Sequence, residues 1–117
     1  FGLSNKIDYT VTSNLDNIGN RTVVPLALIF NELITNSLKH AFTNAEAPKI
    51  DISLKTTTNN HFILTYTDNG TWKDVGKDYD SLGLELIEIF TEQLEGNMTR
   101  TSVEHETKYQ FNLEIID

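Results

Sequence analysis

The sequence predicts an α+β domain, a two-layer α/β sandwich with a mixed sheet and its helices packed on one face. Two stretches with helical period, Pro25 to Phe42 and Ser81 to Leu94, carry the helices. Runs that alternate apolar and polar residues before, between and after them carry the strands. With 117 residues, 38% of them hydrophobic, the chain has the size and apolar content of one compact core. Residues 1–5 have no period and read as a terminus or junction, leaving 6–117 as the domain.

The first strand is expected over Lys6 to Thr12, half in the core, with Ile7, Tyr9 and Val11 on one side. A polar segment from Ser13 to Arg21 then leads into the central helix. Pro25 suits a first helical turn, where its missing N–H costs nothing. Leu26, Ile29, Phe30, Leu33, Ile34, Leu38 and Ala41 form the apolar stripe of that helix. Glu32, Asn36, Lys39 and His40, at i, i+4, i+7 and i+8, are expected on one narrow polar face. Such a face is either solvated or a ligand-coordinating surface.

Pro48 stops any continuation of the helix. Ile50, Ile52 and Leu54, then Phe62, Leu64 and Tyr66, alternate with polar or less apolar partners on either side of an Asn59–Asn60 turn, which predicts a hairpin. Thr71 to Asp80 has no sustained period and reads as a mobile lid loop. Asp80 or Ser81 can cap a second helix that turns Gly83, Leu86, Ile87, Phe90 and Leu94 to the core, with Gly96 expected in the left-handed position that ends it. Asn97 to Val103 and Thr107 to Ile116 complete the sheet as a second hairpin.

A net charge of −8 without a basic stripe argues against polynucleotide binding. The absence of cysteine excludes disulfides, thiol catalysis and cysteine-ligated metals, and fits a reducing compartment. The longest apolar run, Val23 to Phe30, contains a proline and falls far short of the roughly 20 residues of a membrane span. No signal peptide is visible, so the segment is expected to be soluble and cytoplasmic, without membrane contact of its own, whether or not the parent protein is anchored.

Two short sequences beyond the central helix bear on chemistry. Asp68-Asn69-Gly70 closes the third strand. It is either a tight hairpin turn or a binding turn, in which Asp68 accepts from the amino group of a base and Gly70 lets the backbone approach the ring. Ser81-Leu82-Gly83-Leu84 opens the second helix, where unpaired N–H groups and a glycine admit phosphate oxygens or simply close packing.

Together, NELITNSLKHAF, DNG and SLGL resemble the N box and the two glycine boxes of sensor histidine kinases, in the same order and at comparable separations. The resemblance runs from about Lys6 to the C-terminus. It implies an ATP-binding catalytic domain with the Bergerat fold, shared with gyrase, heat-shock-chaperone and mismatch-repair ATPases. NEL followed by N and KHAF is closest to kinases with a short lid.

The resemblance implies ATP and Mg²⁺ as ligands. It makes Asn36 the magnesium ligand, a role chemically suited to an amide oxygen when the triphosphate supplies the charge. Glu32 takes the place of the acidic residue that polarises the attacking nucleophile. Lys39 is implied to contact phosphate, and His40 to lie near the ribose or phosphates. Asp68 is implied to accept from the adenine amino group; Gly70, Ser81 and Gly83 belong to the glycine boxes, and Thr107 lies near the nucleotide.

The chain departs from the family pattern at Trp72 and Glu106, where glycines are expected, and in a lid whose one internal glycine is Gly76. Trp72 then either packs against the lid or covers the nucleotide. The implied reaction passes the γ-phosphoryl group to a histidine on a dimerisation and phosphotransfer domain of the same polypeptide, with a response regulator downstream. His40, His61 and His105 are not expected to be the acceptor. The rival readings are a serine kinase of the anti-sigma-factor type and a degenerate domain that only makes protein contacts.

Overall fold

The computed structural model describes residues 7–42, 47–70, 81–103 and 105–116, with only the backbone at Ser81 and Leu82. The expected terminus at 1–5, the lid at Thr71 to Asp80 and Trp72 therefore lie outside the described residues. The elements are β1 (Asp8–Ser13), α1 (Asn20–Asn36), a π turn (Ser37–Ala41), β2 (Lys49–Thr56), β3 (His61–Asp68), α2 (Ser81–Gln93), β4 (Asn97–Val103) and β5 (Glu106–Glu114).

The strands form a mixed sheet in the order β1-β2-β3-β5-β4, with β1 parallel to β2 and the other neighbours antiparallel. The two hairpins arise as the alternation predicts, and their register sets rows across the sheet. One row runs Leu54, Leu64, Phe111, Met98, and the next Ile52, Tyr66, Tyr109, Arg100. Both face the helices, where Leu26, Ile29 and Leu33 of α1 and Ile87 of α2, with Leu94 just beyond it, are buried against them. The opposite face carries Asp51, Ser53, Thr65, Thr67, Gln110 and Asn112, none of them buried. Burying a Leu, Ile or Phe side chain contributes roughly 1.5–3 kcal/mol, so this one-sided pattern decides which face takes the helices.

Four expectations are corrected. The first strand exists but is not half in the core: Tyr9 and Val11 are 51% and 63% exposed. They lie in register with Ile50 and Ile52, on the helix side, but β1 is an edge strand that meets the domain mainly through β2, and the helices do not cover it. The helix starts at Asn20, not at Pro25. The Gly19 carbonyl accepts from the N–H groups of Thr22 (3.1 Å) and Val23 (2.9 Å), so the first turn is complete before the proline, which sits buried inside the helix.

The helix also does not run as one α-helix to Phe42. After Asn36 it widens, and the Phe42 N–H donates to the Ser37 carbonyl five residues back at 3.2 Å. The extra residue in that turn rotates the side chains beyond it relative to a regular helix. Finally, the left-handed residue after α2 is Glu95, at φ 51°, not Gly96. Gly96 serves close packing instead: a Cβ there would lie 1.9 Å from the Asn112 carbonyl oxygen.

Candidate functional site

At one end of the helix-facing side, the last row of the sheet turns polar after Ile50: Asp68 pairs with Ile50 and Thr107, and Thr107 with Ser102. Asp68 is 0% exposed. A buried carboxylate requires donors, since desolvation without them costs several kcal/mol. Ser37 Oγ donates to Asp68 Oδ2 at 2.7 Å, and the Gly70 N–H donates to Oδ1 at 3.1 Å. Ser37 Oγ also lies 2.7 Å from the Tyr66 hydroxyl, which donates to the Leu33 carbonyl at 3.2 Å. Burial is the main cause that pushes the Tyr66 phenol well above its ordinary range, so it stays protonated. Thr107 is buried beside Asp68, its Oγ1 3.2 Å from Ser102 Oγ.

The hairpin reading of Asp68-Asn69-Gly70 does not hold. β3 is already flanked by β2 and β5, so no returning strand can pair with it after Gly70. Asn69 instead ties the strand end to the start of β2. Its Oδ1 accepts the Lys49 N–H at 2.8 Å, its Nδ2 donates to the Ala47 carbonyl at 2.9 Å, and its own N–H donates to the Lys49 carbonyl at 3.2 Å. At Gly70 the space a Cβ would need belongs to the Ala41 carbonyl, at 2.2 Å. The glycine fits the strand end against the π turn.

The four polar residues of the central helix do not share one environment. Asn36 is 2% exposed with its Nδ2 unpartnered, Glu32 and His40 are half-buried, and Lys39 is exposed. The wide turn between Asn36 and Lys39 separates them around the axis. Gly83 is buried in the first turn of α2, whereas the Ser81 side chain and Trp72 lie outside the described residues. Glu106 opens β5 and is exposed.

Among the described residues no group of three His, Asp or Glu is placed to hold a metal ion alone. At Asn36, one turn beyond Glu32, the orphaned buried atom is the Nδ2 donor, which seeks an acceptor such as a ligand oxygen; an oxygen-seeking ion would have to be met by the Oδ1 of the same amide. A separate open groove of about 500 Å³ lies between α2 and β4, lined by Leu84, Glu88, Thr91, Met98 and Arg100 among others, and contains none of the sequence-predicted site residues. No described helix is long and apolar enough to cross a membrane.

The sequence reading missed Ser37 and Tyr66. Ser37 sits four residues after Leu33 and eight after Ile29, on the core stripe itself, and Tyr66 shares the inward face of β3 with Asp68. A hydroxyl on an apolar stripe opposite two inward polar groups was the available signal.

No family model matches this chain, and no curated protein matches it by sequence. Solved structures do. The histidine kinase domain of the Erythrobacter litoralis blue-light activated histidine kinase EL346 superposes with a TM-score of 0.82 at 18% identity, over 93% of this chain and 52% of that one. The Acinetobacter baumannii histidine kinase AdeS gives 0.71 at 16% identity, over 96% of this chain and 56% of that one. Full-length ShkA in complex with AMPPNP gives 0.69 at 16% identity, over 94% and 25%. The chain thus spans about half the length of the first two. The sandwich that the described residues form, two helices on a mixed five-stranded sheet, has the fold of histidine kinase catalytic domains.

Proposed function

We propose that this chain binds ATP with Mg²⁺ and is the catalytic domain of a sensor histidine kinase, acting on a histidine outside the chain. The observation that carries the reading is the buried Asp68 carboxylate, held by Ser37 and Gly70 beside Thr107. A fully buried anion at a strand end, received by a hydroxyl and a backbone N–H, suits an amino group brought by a ligand as a further donor. The AMPPNP bound by ShkA, whose fold this chain shares, supports a nucleotide as that ligand.

In this reading Asp68 accepts from the adenine amino group, and Thr107 lines the same end of the pocket. Asn36 would hold Mg²⁺, which neutralises phosphate charge when bound. Lys39, exposed in the π turn, contacts phosphate, as His40 and the first turn of α2 with Ser81 and Gly83 do. Glu32 accepts the imidazole proton as the N–P bond forms and the bond from the γ-phosphorus to the bridging oxygen breaks, releasing ADP. Phosphoryl transfer asks chiefly for such positioning and charge neutralisation.

Calorimetric titration with ATP, with and without Mg²⁺, tests the binding step; no heat of binding under either condition leaves the reading without support and favours a module for protein contacts. Labelled ATP and a separately supplied helical hairpin bearing the acceptor histidine test transfer. Acid-labile product on the hairpin is expected, whereas acid-stable label on a serine favours the serine-kinase reading.

A further inference from the structure

The Asp68 carboxylate is reached by two hydroxyls in series, and their protons can be followed. Tyr66, buried and protonated, has one hydrogen, directed at the Leu33 carbonyl 3.2 Å away and at Ser37 Oγ 2.7 Å away. It has no need to accept from Ser37. Ser37 has one hydrogen, which goes to Asp68 Oδ2 at 2.7 Å. The chain of donors therefore runs from β3 to the start of the π turn and back to β3, and ends on the carboxylate.

We propose that Ser37, with its hydroxyl rotor set by Tyr66, is a positioning residue that holds Asp68 as an oriented acceptor and so makes the site select a 6-amino purine over a 6-oxo or 6-unsubstituted one. The proposal rests on the nucleotide reading of the site. With Oδ2 receiving Ser37 and Oδ1 receiving the Gly70 N–H, the plane of the carboxylate is held at both oxygens, and the directions from which a ligand can donate to its lone pairs are fixed. A 6-amino group can donate to them. A 6-oxo group presents a second acceptor to an anion, and a hydrogen at position 6 donates nothing useful. The π turn matters because it carries Ser37 at its first residue, while Gly70 closes against its last, Ala41.

The test compares ATP, GTP and purine riboside triphosphate, which lacks the 6-amino group, in calorimetric titrations of the whole chain and of Ser37→Ala and Tyr66→Phe. Wild type should prefer ATP over both analogues. Ser37→Ala should weaken ATP about tenfold and the unsubstituted analogue less than about twofold, as expected for losing orientation of one charged hydrogen bond. Tyr66→Phe, which removes one oxygen and little else, should shift the same ratio by about threefold. Thermal unfolding of each variant separates folding from selectivity. Equal losses for all three nucleotides, or an unchanged ATP preference in a folded Tyr66→Phe, overturn the positioning role while leaving ATP binding intact. A wild-type chain that binds no nucleotide overturns the parent reading and this proposal with it.

Discussion

Gly96 passes so close to Asn112 that a Cβ on it would lie 1.9 Å from the Asn112 carbonyl oxygen and 2.8 Å from Leu113 Cδ2. The obstacle is backbone of the neighbouring strand, which cannot step aside as a side-chain tip does. Gly96→Ala should therefore cost roughly 1–3 kcal/mol through displaced backbone, read by urea or thermal unfolding. Its neighbour Glu95 is the residue at positive φ. Glu95→Gly removes a left-handed strain of about 1–2 kcal/mol and adds unfolded-state freedom of about 0.5–1 kcal/mol, so it should be neutral to mildly stabilising. The reverse ranking of the two variants would contradict the observed end of α2.

That pair shows where sequence pattern reaches its limit. The alternation of Ile50, Ile52, Phe62, Leu64 and Tyr66 and the helical stripes are periodic signals, and the elements they imply formed as expected. Which of two adjacent residues takes the left-handed conformation, and what a glycine is closely packed against, depends on a strand more than ten residues away. Pro25 misled for a related reason: Val23 and Val24 ahead of it are exposed and lie off the buried stripe, so the turn they belong to went unread. Within the candidate site, the proximity of Asp68 to Thr107 comes from strand register. The bond from Ser37 depends on how the π turn is seated, which no local periodicity encodes.

Asp68→Asn retains size but replaces one carboxylate oxygen by a donor. An incoming bond, such as that from Ser37 or from the Gly70 N–H, then meets a donor instead of an acceptor. Charge-assisted hydrogen bonds contribute about 1.5–3 kcal/mol, so adenine nucleotide binding should fall at least about tenfold by calorimetry. ATP affinity equal to the parent's would remove Asp68 from the site.

Tyr66 supplies a pH signature. Burial holds its phenol above the unfolded value of about 10, so the folded chain keeps a proton that the unfolded chain releases. Its contribution to stability is fully present below about pH 10 and is lost as pH rises from there through the folded-state value, at up to about 1.4 kcal/mol per pH unit. Tyr66→Phe should accordingly show a shallower fall in unfolding free energy above pH 10 than the parent, followed by denaturant titrations at stepped pH. Parallel slopes in the two proteins would show that the phenol titrates alike in both states.

Asn36 separates stability from function most sharply. Its amide is 2% exposed with Nδ2 unpartnered, an arrangement that costs folding free energy, since a buried donor without an acceptor forfeits about 1–3 kcal/mol of hydration. Asn36→Ala removes that group together with its unmet bond, and the small cavity left behind offsets part of the gain. The variant should unfold at or slightly above the parent's temperature. Asn36→Asp buries a charge in the same place and should unfold lower. If the amide oxygen receives Mg²⁺, both changes should reduce the enhancement that Mg²⁺ gives to ATP binding, the alanine variant losing it without losing stability. Such loss of metal response in an equally stable protein is the outcome expected where a strained polar group has been retained for a ligand. Equal magnesium enhancement in all three proteins, measured by calorimetry at matched ATP, would leave Asn36 a packing defect and move the metal elsewhere.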